Sequence, residues 1–466
     1  MILELLSHQN FADMRFGLDP AFRFTVSRAV YKGILKFLST RYGCHYAVQP
    51  LPVRSFSAIL QNGGKAALSW KETPDTLEPT AVPTGYILYT RIDSGAFDNG
   101  VIIRDFRHSG ERFHTDVPVE KGHLYSFRIA AYNEGGRSFP SETLSLGIPE
   151  DGKTEKTVLV VNNFDRVAAP AWFDTPAYAG FDVRLDAGVP YIREINNTGE
   201  MYQFRRGMQW SDDDNPGFGG SYTDMAGRII PGNTFDYPSV HGKALMEAGY
   251  AFCSASAEAF CADSAALRDF FAADIICGKQ VTTPVGAGGR LPDRFNVFPA
   301  PLRKAIAKFA AAGGNVLVSG ANIGTDLWDK VYQPDIDSTY QAEAQTFAKD
   351  VLGYRWLTNY ASRCGNVRFL AGHGIDCCGF PAGIAFYQRP NDYIYNVETP
   401  DGLLPVSGNA SSFLRYVDTG ISAGVRFDGN GYRAVSIGFP LETIRDGGDL
   451  SALLGSIMNY FSSGKK

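Results

Sequence analysis

The stretch around residue 160 constrains what this chain can fold into more than any other. Thr157–Val161 is an unbroken aliphatic and β-branched run, which Asn162-Asn163-Phe164-Asp165 ends abruptly. A strand that is apolar on both faces is usually covered on both faces, as in a parallel sheet flanked by helices. Ligands of such open sheets bind beyond the carboxyl ends of the strands. The run therefore predicts an α/β sheet, with Asn163 and Asp165 as candidate substrate contacts.

From residue 153 to residue 466, strand-like runs alternate with helical ones, which predicts a doubly wound parallel sheet. Residues 362–428 are richer in glycine and in short strand-like runs, and they predict a β-rich addition. The predicted strands are Thr157–Val161, Phe181–Leu185, Ala251–Ser254, Asp274–Gly278, Asn315–Val318 and Tyr432–Phe439. The predicted helices are Ser239–Gly249, Ser264–Phe271, Pro301–Ala312 and Leu450–Phe461.

Two further regions precede this α/β domain. In residues 49–148 the apolar period changes to two, as in Ala66, Leu68 and Trp70, and short strands at such spacing predict a β-sandwich. Residues 1–48 contain a strand-like run at Met1–Leu6, a polar loop and a helix that opens at Asp19-Pro20. This order predicts the carboxyl-terminal end of an α/β domain whose beginning lies outside this sequence, so the chain is expected to be multidomain.

Composition excludes several classes of partner. A net charge of −5 and a pI of about 5.9 argue against nucleic-acid binding. No apolar run reaches the roughly 18 residues that a membrane span needs, and Met1–Leu6 lacks the basic start of a signal peptide. The seven cysteines form no metal-binding pattern, and buried free thiols are the simpler interpretation.

The first 40 residues resemble the carboxyl-terminal end of zinc-dependent N-acetylmuramoyl-L-alanine amidases. Glu4 is followed at the expected spacing by Asn10, and Asp19-Pro20 and Ala29–Ile34 fit the closing helix of those domains. The resemblance implies that Glu4 is a catalytic carboxylate that shuttles a proton to or from a zinc-bound water. A zinc site needs about three protein ligands, which this family supplies upstream of the glutamate. On this chain alone Glu4 is therefore expected to be a structural carboxylate, with His8 as its only nearby histidine and no zinc bound.

Two more resemblances cover the remainder of the chain. Trp70, Val117-Pro118 and Tyr125–Asn133 resemble a fibronectin type III domain, which implies a core role for Trp70 and a corner hydrogen-bond donor in Tyr125. Gly232–Pro238, Val318–Asn322 and Ile437–Thr443 resemble the class I glutamine-amidotransferase-like domain of Bacteroidetes polypeptides labelled xanthan lyases.

Together the resemblances imply an extracytoplasmic cell-envelope protein of peptidoglycan-hydrolase lineage, inactive without its zinc-binding half. The alternative is a glycan-binding or glycan-active α/β protein.

Candidate chemistry in the α/β domain falls at two places. An amidotransferase-type nucleophile would sit on a sharp turn after a strand, where this sequence offers Ser319 or Cys277, with His373 as a possible partner. The second place is the long segment 196–241, which carries aromatic, arginine and aspartate residues. Trp210, Tyr222, Asp212, Asp213 and Asp214 are its candidate sugar contacts. Alternatively, its aromatic residues pack the segment onto the sheet, or its aspartates hold Ca²⁺.

Overall fold

The computed structural model describes residues 3–7, 10–196, 204–205, 207, 227–262, 269–285, 291–330, 337–372, 375 and 383–463. The chain divides into two compact units. The smaller unit comprises residues 1–37, 165–234 and 387–399, and the larger unit comprises residues 38–164, 235–386 and 400–466. The structure is multidomain and mostly β, with one large mixed sheet and several helices.

The described helices are α1 (Phe11–Gly17), α2 (Pro20–Tyr42), α3 (Tyr237–Glu247), α4 (Ala257–Ala262), α5 (Ala300–Ala311), α6 (Thr325–Trp328), α7 (Ser338–Asp350), α8 (Gly447–Ser462) and a 3-10 turn at Leu441–Thr443. The described strands are β1 (Arg54–Gln61), β2 (Lys65–Lys71), β3 (Gly85–Ile92), β4 (Val101–Ile102), β5 (Arg107–Ser109), β6 (Arg112–Pro118), β7 (Leu124–Asn133), β8 (Gly136–Arg137), β9 (Leu144–Gly147), β10 (Val158–Asn162), β11 (Trp172–Asp174), β12 (Tyr178–Phe181), β13 (Arg193–Asn196), β14 (Phe204–Arg205), β15 (Arg228–Pro231), β16 (Phe252–Ser256), β17 (Ala272–Gly278), β18 (Thr283–Val285), β19 (Leu291–Arg294), β20 (Asn315–Gly320), β21 (Tyr354–Thr358), β22 (Asn366–Phe369), β23 (Ile384–Ala385), β24 (Gly402–Pro405), β25 (Ala410–Tyr416), β26 (Ser422–Asp428) and β27 (Arg433–Ile437). Within these described elements, no helix is long and apolar enough to cross a membrane.

Parallel strands form the centre of the larger unit, in the order β16-β10-β17-β20-β27. The strands β26, β25, β22 and β23 extend this sheet in antiparallel fashion. Strands β10, β16, β17 and β20 are buried along their whole length, as their aliphatic sequences predict.

Helices cover both faces of this sheet. Leu159, Ile275 and Val318 belong to an apolar cluster that includes side chains from α4, α5 and α7. The side chains that alternate with these along the strands point to the other face, which α3 covers, and His241 of α3 contacts Asp274 of β17. Helix α8 packs on α3, where the Ser451 hydroxyl donates to the Ala244 carbonyl (3.1 Å).

The β-sandwich joins this sheet directly. Its core contains Trp70, which is fully buried, and the Trp70 ring lies 5.1 Å from the ring of Tyr86. Strand β1 pairs with β16 in the register Ala58↔Ser254, and β9 pairs with the opposite end of β16. The Ser254 hydroxyl accepts from the Ser145 amide (2.8 Å) and donates to the Ser145 carbonyl (2.6 Å).

Because of this shared strand, the larger unit contains both the sandwich and the parallel sheet. The units therefore divide the chain differently from the predicted ranges 1–48, 49–148 and 153–466.

The smaller unit is built from short strands, helix α1 and helix α2 as far as Phe37. Strands β11, β12 and β14 form one small sheet, and β13 pairs with β15 in another. Phe11 and Leu18 of the α1 region pack against Phe181, with 5.4 Å between the Phe11 and Phe181 ring centroids.

Two sequence predictions in this unit are wrong. The predicted strand Phe181–Leu185 does not form, since the observed strand β12 ends at Phe181. The Asp182 carboxylate accepts from the amides of Arg184 (3.1 Å) and Leu185 (3.3 Å) and folds the chain into a turn there. Residues 3–6 of the predicted first strand Met1–Leu6 are exposed and form no strand, and Asn10 of the predicted loop caps α1 through the amides of Ala12 and Asp13.

Tyr125 was predicted to donate a corner hydrogen bond, but its hydroxyl accepts one, from the Glu120 amide at 3.2 Å. The side chain is only 8% exposed, so this bond is largely shielded from water. Tyr125→Phe is expected to lower the free energy of unfolding by about 1 kcal/mol. Urea denaturation measures this change, and an unaltered midpoint would remove the corner role of Tyr125.

Candidate functional site

The carboxyl ends of β10 and β17 are the place where an open parallel sheet offers a ligand site. The chain continues from β10 to its neighbour β16 on one side and later to β17 on the other, so the strand order reverses here. Asn163, directly after β10, is 5% exposed, and its side-chain amide donates to the Val297 carbonyl (2.9 Å) and to the Cys277 sulfur (3.7 Å). A ligand of Asn163 would have to displace these contacts, and its binding role stays a prediction.

A buried carboxylate follows β20 at the same edge. Asp326 accepts from the amides of Thr282 (2.7 Å) and Val297 (3.0 Å) and from the Tyr340 hydroxyl (2.5 Å). Burial raises the pKa of Asp326, although these donors act in the opposite direction. The carboxylate ties together the loops that follow β17 and β20.

Asp401 plays a similar part at the start of α6. Its carboxylate accepts from the amides of Gly324 (2.6 Å) and Thr325, from the Thr325 hydroxyl (2.6 Å) and from the Trp356 indole (3.0 Å). Burial raises the pKa of Asp401 to about 7, against the effect of these donors. A negative side chain at a helix amino terminus is electrostatically favourable.

One buried histidine contacts two buried carboxyl groups. The cluster consists of His241, Asp274 and Glu442, which are 0%, 0% and 4% exposed. Nδ1 of His241 donates to Oδ2 of Asp274 (2.7 Å), and Nε2 donates to Oε2 of Glu442 (3.3 Å). Burial alone would lower the pKa of His241, but the two carboxylates outweigh it and raise the pKa to about 10. His241 is therefore an imidazolium held between two carboxylates.

This arrangement is suited to holding charge rather than to transferring protons. A general base needs a neutral ring nitrogen near the operating pH, and both nitrogens of His241 carry hydrogens that point at carboxylates. Within the described residues, Oδ1 of Asp274 and Oγ of Ser319 are buried without a hydrogen-bond partner. Both side chains lie on the sheet face that α3 covers, because Ser319 pairs with Ile276, two residues beyond Asp274.

The His241 cluster predicts a pH dependence of stability. The pKa of His241 rises from its ordinary 6.5 to about 10 on folding, so its contribution is complete below pH 6.5 and is lost as pH rises towards 10. We expect the free energy of unfolding to fall by up to about 1.4 kcal/mol per pH unit between pH 6.5 and 8. Urea titrations across this window measure the slope. It should be absent from His241→Gln, and an equal slope in that variant would contradict the assignment.

Neither predicted nucleophile has the surroundings of an activated one. Cys277 is 1% exposed, and burial raises the pKa of its thiol to about 12, which disfavours the thiolate. Ser319 is fully buried within β20, and its backbone lies outside the left-handed region. His373, the predicted partner, lies outside the described residues.

The other predicted site residues divide into two groups. Trp210, Tyr222, Asp212, Asp213 and Asp214 lie outside the described residues, as does His8. Asp165 and Glu4 are exposed. Within the described parts of the chain, no group of histidine, cysteine, aspartate and glutamate side chains has the arrangement of a metal site.

Sequence reasoning did not single out the His241 cluster as a site. One signal was available, because Asp274 is a charged residue in the otherwise apolar run Ala272–Cys277. A carboxylate in a fully buried strand needs a partner, and that requirement could have prompted a search for a buried cation. The identity of the partner could not follow, since His241 and Glu442 lie on separate elements.

Comparisons with known proteins show only partial likenesses. No protein family matches the chain, and no curated protein matches it. The twitchin kinase region from C. elegans is similar at 26% identity over 23% of this chain and 18% of that chain, with a TM-score of 0.19. The third fibronectin III domain of the human KIAA0343 protein is similar at 15% identity over 23% and 87% of the two chains (TM-score 0.18). The chicken CNTN1 FN1-FN3 domains are similar at 14% identity over 21% and 31% (TM-score 0.17).

Fibronectin type III domains thus occur among the structures similar to part of this chain, at low coverage and TM-score. The chain spans less than a fifth of the twitchin region, and likenesses of this size carry no functional argument.

Proposed function

We propose that this chain is a glycan-binding protein of the cell envelope, and that its recognition surface lies on the smaller unit. The observation that carries the proposal is the distribution of exposed aromatic side chains. Among the described residues, nine large aromatic side chains are exposed, and six of them lie in the smaller unit. Those six are Phe24, Phe37, Trp172, Tyr178, Tyr191 and Tyr393.

Aromatic faces beside charged and amide groups suit sugar rings, which combine apolar C–H faces with hydroxyl groups. Trp172 is 45% exposed and is held in place by the guanidinium of Arg15, 3.4 Å from the ring centroid, and by the edge of Phe11. A ring fixed in this way loses little side-chain entropy when a ligand stacks on it. Asp174, on the same strand, offers a carboxylate acceptor for hydroxyl groups.

In this proposal the larger unit is a rigid framework. Its parallel strands and two helical layers support a doubly wound α/β fold of the class I glutamine-amidotransferase-like type with a β-rich addition. The sandwich supports a fibronectin type III module. The buried bonds of Asp326, Asp401 and His241 fix the loops at the sheet edge, where catalytic residues of such folds usually lie.

The amidase resemblance of the first 40 residues supports both the cell-envelope assignment and an extracytoplasmic location. It selects peptidoglycan fragments as the first glycans to test, with zinc chemistry expected only where an upstream half is present. Trp210, Tyr222 and Asp212–Asp214 of the segment 196–241, which lie outside the described residues, stay proposed sugar contacts. Its acidic triplet disfavours uronate-rich polysaccharides such as xanthan, unless Arg205 and Arg206 offset it.

A glycan and muropeptide array probed with the full chain tests the proposal. Trp172→Ala is expected to weaken binding to the selected glycan by about tenfold or more. Phe139→Ala is the matched control, because Phe139 is an aromatic side chain of the larger unit that is 53% exposed. Binding of no glycan, or equal losses in the two variants, would overturn the proposal.

A further inference from the structure

A small pocket in the smaller unit has walls that suit one apolar group. Its volume is about 20 Å³, which accommodates a single water-sized or methyl-sized group. Glu194 contributes the one charged side chain among its described lining residues. The apolar lining residues are Leu18, Ala168, Pro170, Ala187, Pro190 and Ile230.

Close backbone packing preforms this pocket. The amides and carbonyls of Ala168 and Val189 bond to each other reciprocally, at 3.0 and 2.9 Å. Gly188 has a φ of +83°, and a Cβ there would lie 2.8 Å from the Pro170 nitrogen, so only glycine fits. Gly232 similarly allows the chain to approach the Pro190 carbonyl. A cavity fixed by backbone does not need to be opened by its ligand, which favours binding.

The pocket has one acidic lining residue, and an exposed aromatic residue is adjacent to it in the chain. Glu194 of β13 lies directly opposite the lining residue Ile230 of β15 and forms an ion pair with Arg23. Tyr191 follows the lining residue Pro190 and is 46% exposed. Ile192 has a φ of +63°, a strained conformation for a β-branched residue, and such strain clusters at functional positions.

We propose that this pocket binds the methyl group of an acetamido substituent on an amino sugar. The inference rests on the proposed function and specifies its ligand class. The acetamido group matches the pocket in both parts: its methyl group fills the apolar cavity, and its amide N–H is a donor for the Glu194 carboxylate. The exposed ring of Tyr191 supplies a stacking face for the sugar ring beside it. Sugars with a hydroxyl in place of the acetamido group would leave the apolar walls unfilled.

A series of neutral tetrasaccharides with the same backbone linkage tests this inference on the wild-type chain. Chitotetraose is expected to bind about tenfold or more tightly than cellotetraose, which lacks the acetamido groups. The N-butyryl analogue of chitotetraose should bind more weakly than chitotetraose, because two further methylene groups exceed the volume of the pocket. Isothermal titration calorimetry measures the three affinities.

The outcomes separate the inference from the proposed function. Equal affinities for chitotetraose and cellotetraose, or tighter binding of the N-butyryl analogue, would overturn the acetamido inference while glycan binding stands. If the array selects a glycan and neither tetrasaccharide binds, the inference also fails. If no glycan of any kind binds, the proposed function itself is overturned.

A pocket-filling variant provides the second test. Ala187→Leu is expected to abolish the preference for chitotetraose, because the larger side chain fills the pocket. The urea unfolding midpoint of the variant, compared with that of wild type, is the control for correct folding. A retained preference in folded Ala187→Leu would contradict the proposal, and if the variant does not fold, the wild-type series decides.

Discussion

Replacing His241 by alanine is expected to destabilise the larger unit by about 3–5 kcal/mol. The substitution leaves the carboxylates of Asp274 and Glu442 buried without the imidazolium that holds them at 2.7 and 3.3 Å. An uncompensated buried charge costs several kcal/mol, far more than the loss of one exposed contact. Urea denaturation measures the change in the free energy of unfolding.

Lys243 provides a matched control on the same helix. Its side chain is 74% exposed, and it lies 3.9 Å from Glu247, so Lys243→Ala should change stability by less than about 0.5 kcal/mol. Neutralising one carboxylate in the background, as in the double variant His241→Ala with Asp274→Asn, should restore part of the loss. Similar unfolding midpoints for His241→Ala and Lys243→Ala would contradict a buried ion cluster.

Trp70→Ala is expected to cost about 3–5 kcal/mol and to lower the stability of the parallel sheet together with that of the sandwich. The Trp70 ring is fully buried between Tyr86 and Phe113, with centroids 5.1 and 6.0 Å away. Because β1 and β9 both pair with β16, loss of the sandwich removes the neighbours of a strand of the parallel sheet.

Hydrogen exchange of β10 and β17 under increasing urea measures this coupling. In the variant, these strands should lose protection at the same urea concentration as β2 and β7 of the sandwich. Loss of sandwich protection while β10 and β17 keep their wild-type midpoint would show that the two parts unfold independently.

The sequence predicted the parallel strands well because continuous aliphatic runs are stable only where both faces of the strand are buried. Strand β10 occupies Val158–Asn162, within one residue of the predicted run. The Phe181–Leu185 prediction failed because a side-chain interaction of Asp182 competed with strand pairing. The merging of sandwich and sheet was not predicted, since it depends on pairing between residues about 200 positions apart.

The His241 cluster was beyond sequence reasoning for a similar reason. Its partners lie 33 and 201 residues from the histidine, and no local pattern links them. The candidate pocket likewise draws its walls from residues 18, 168–194 and 230, so its existence depends on the tertiary arrangement of the smaller unit. The sequence led to glycans as the ligand class through the aromatic and acidic residues of the segment 196–241 and through the family resemblances.

Hydrogen exchange in the presence of the tightest-binding glycan tests the central claim most directly. We expect added protection in the smaller unit, within residues 165–196, 227–234 and 387–399, and unchanged exchange at residues 276–282 and 319–326 of the larger unit. Protection of the latter two segments instead would locate the ligand at the edge of the parallel sheet and contradict the account.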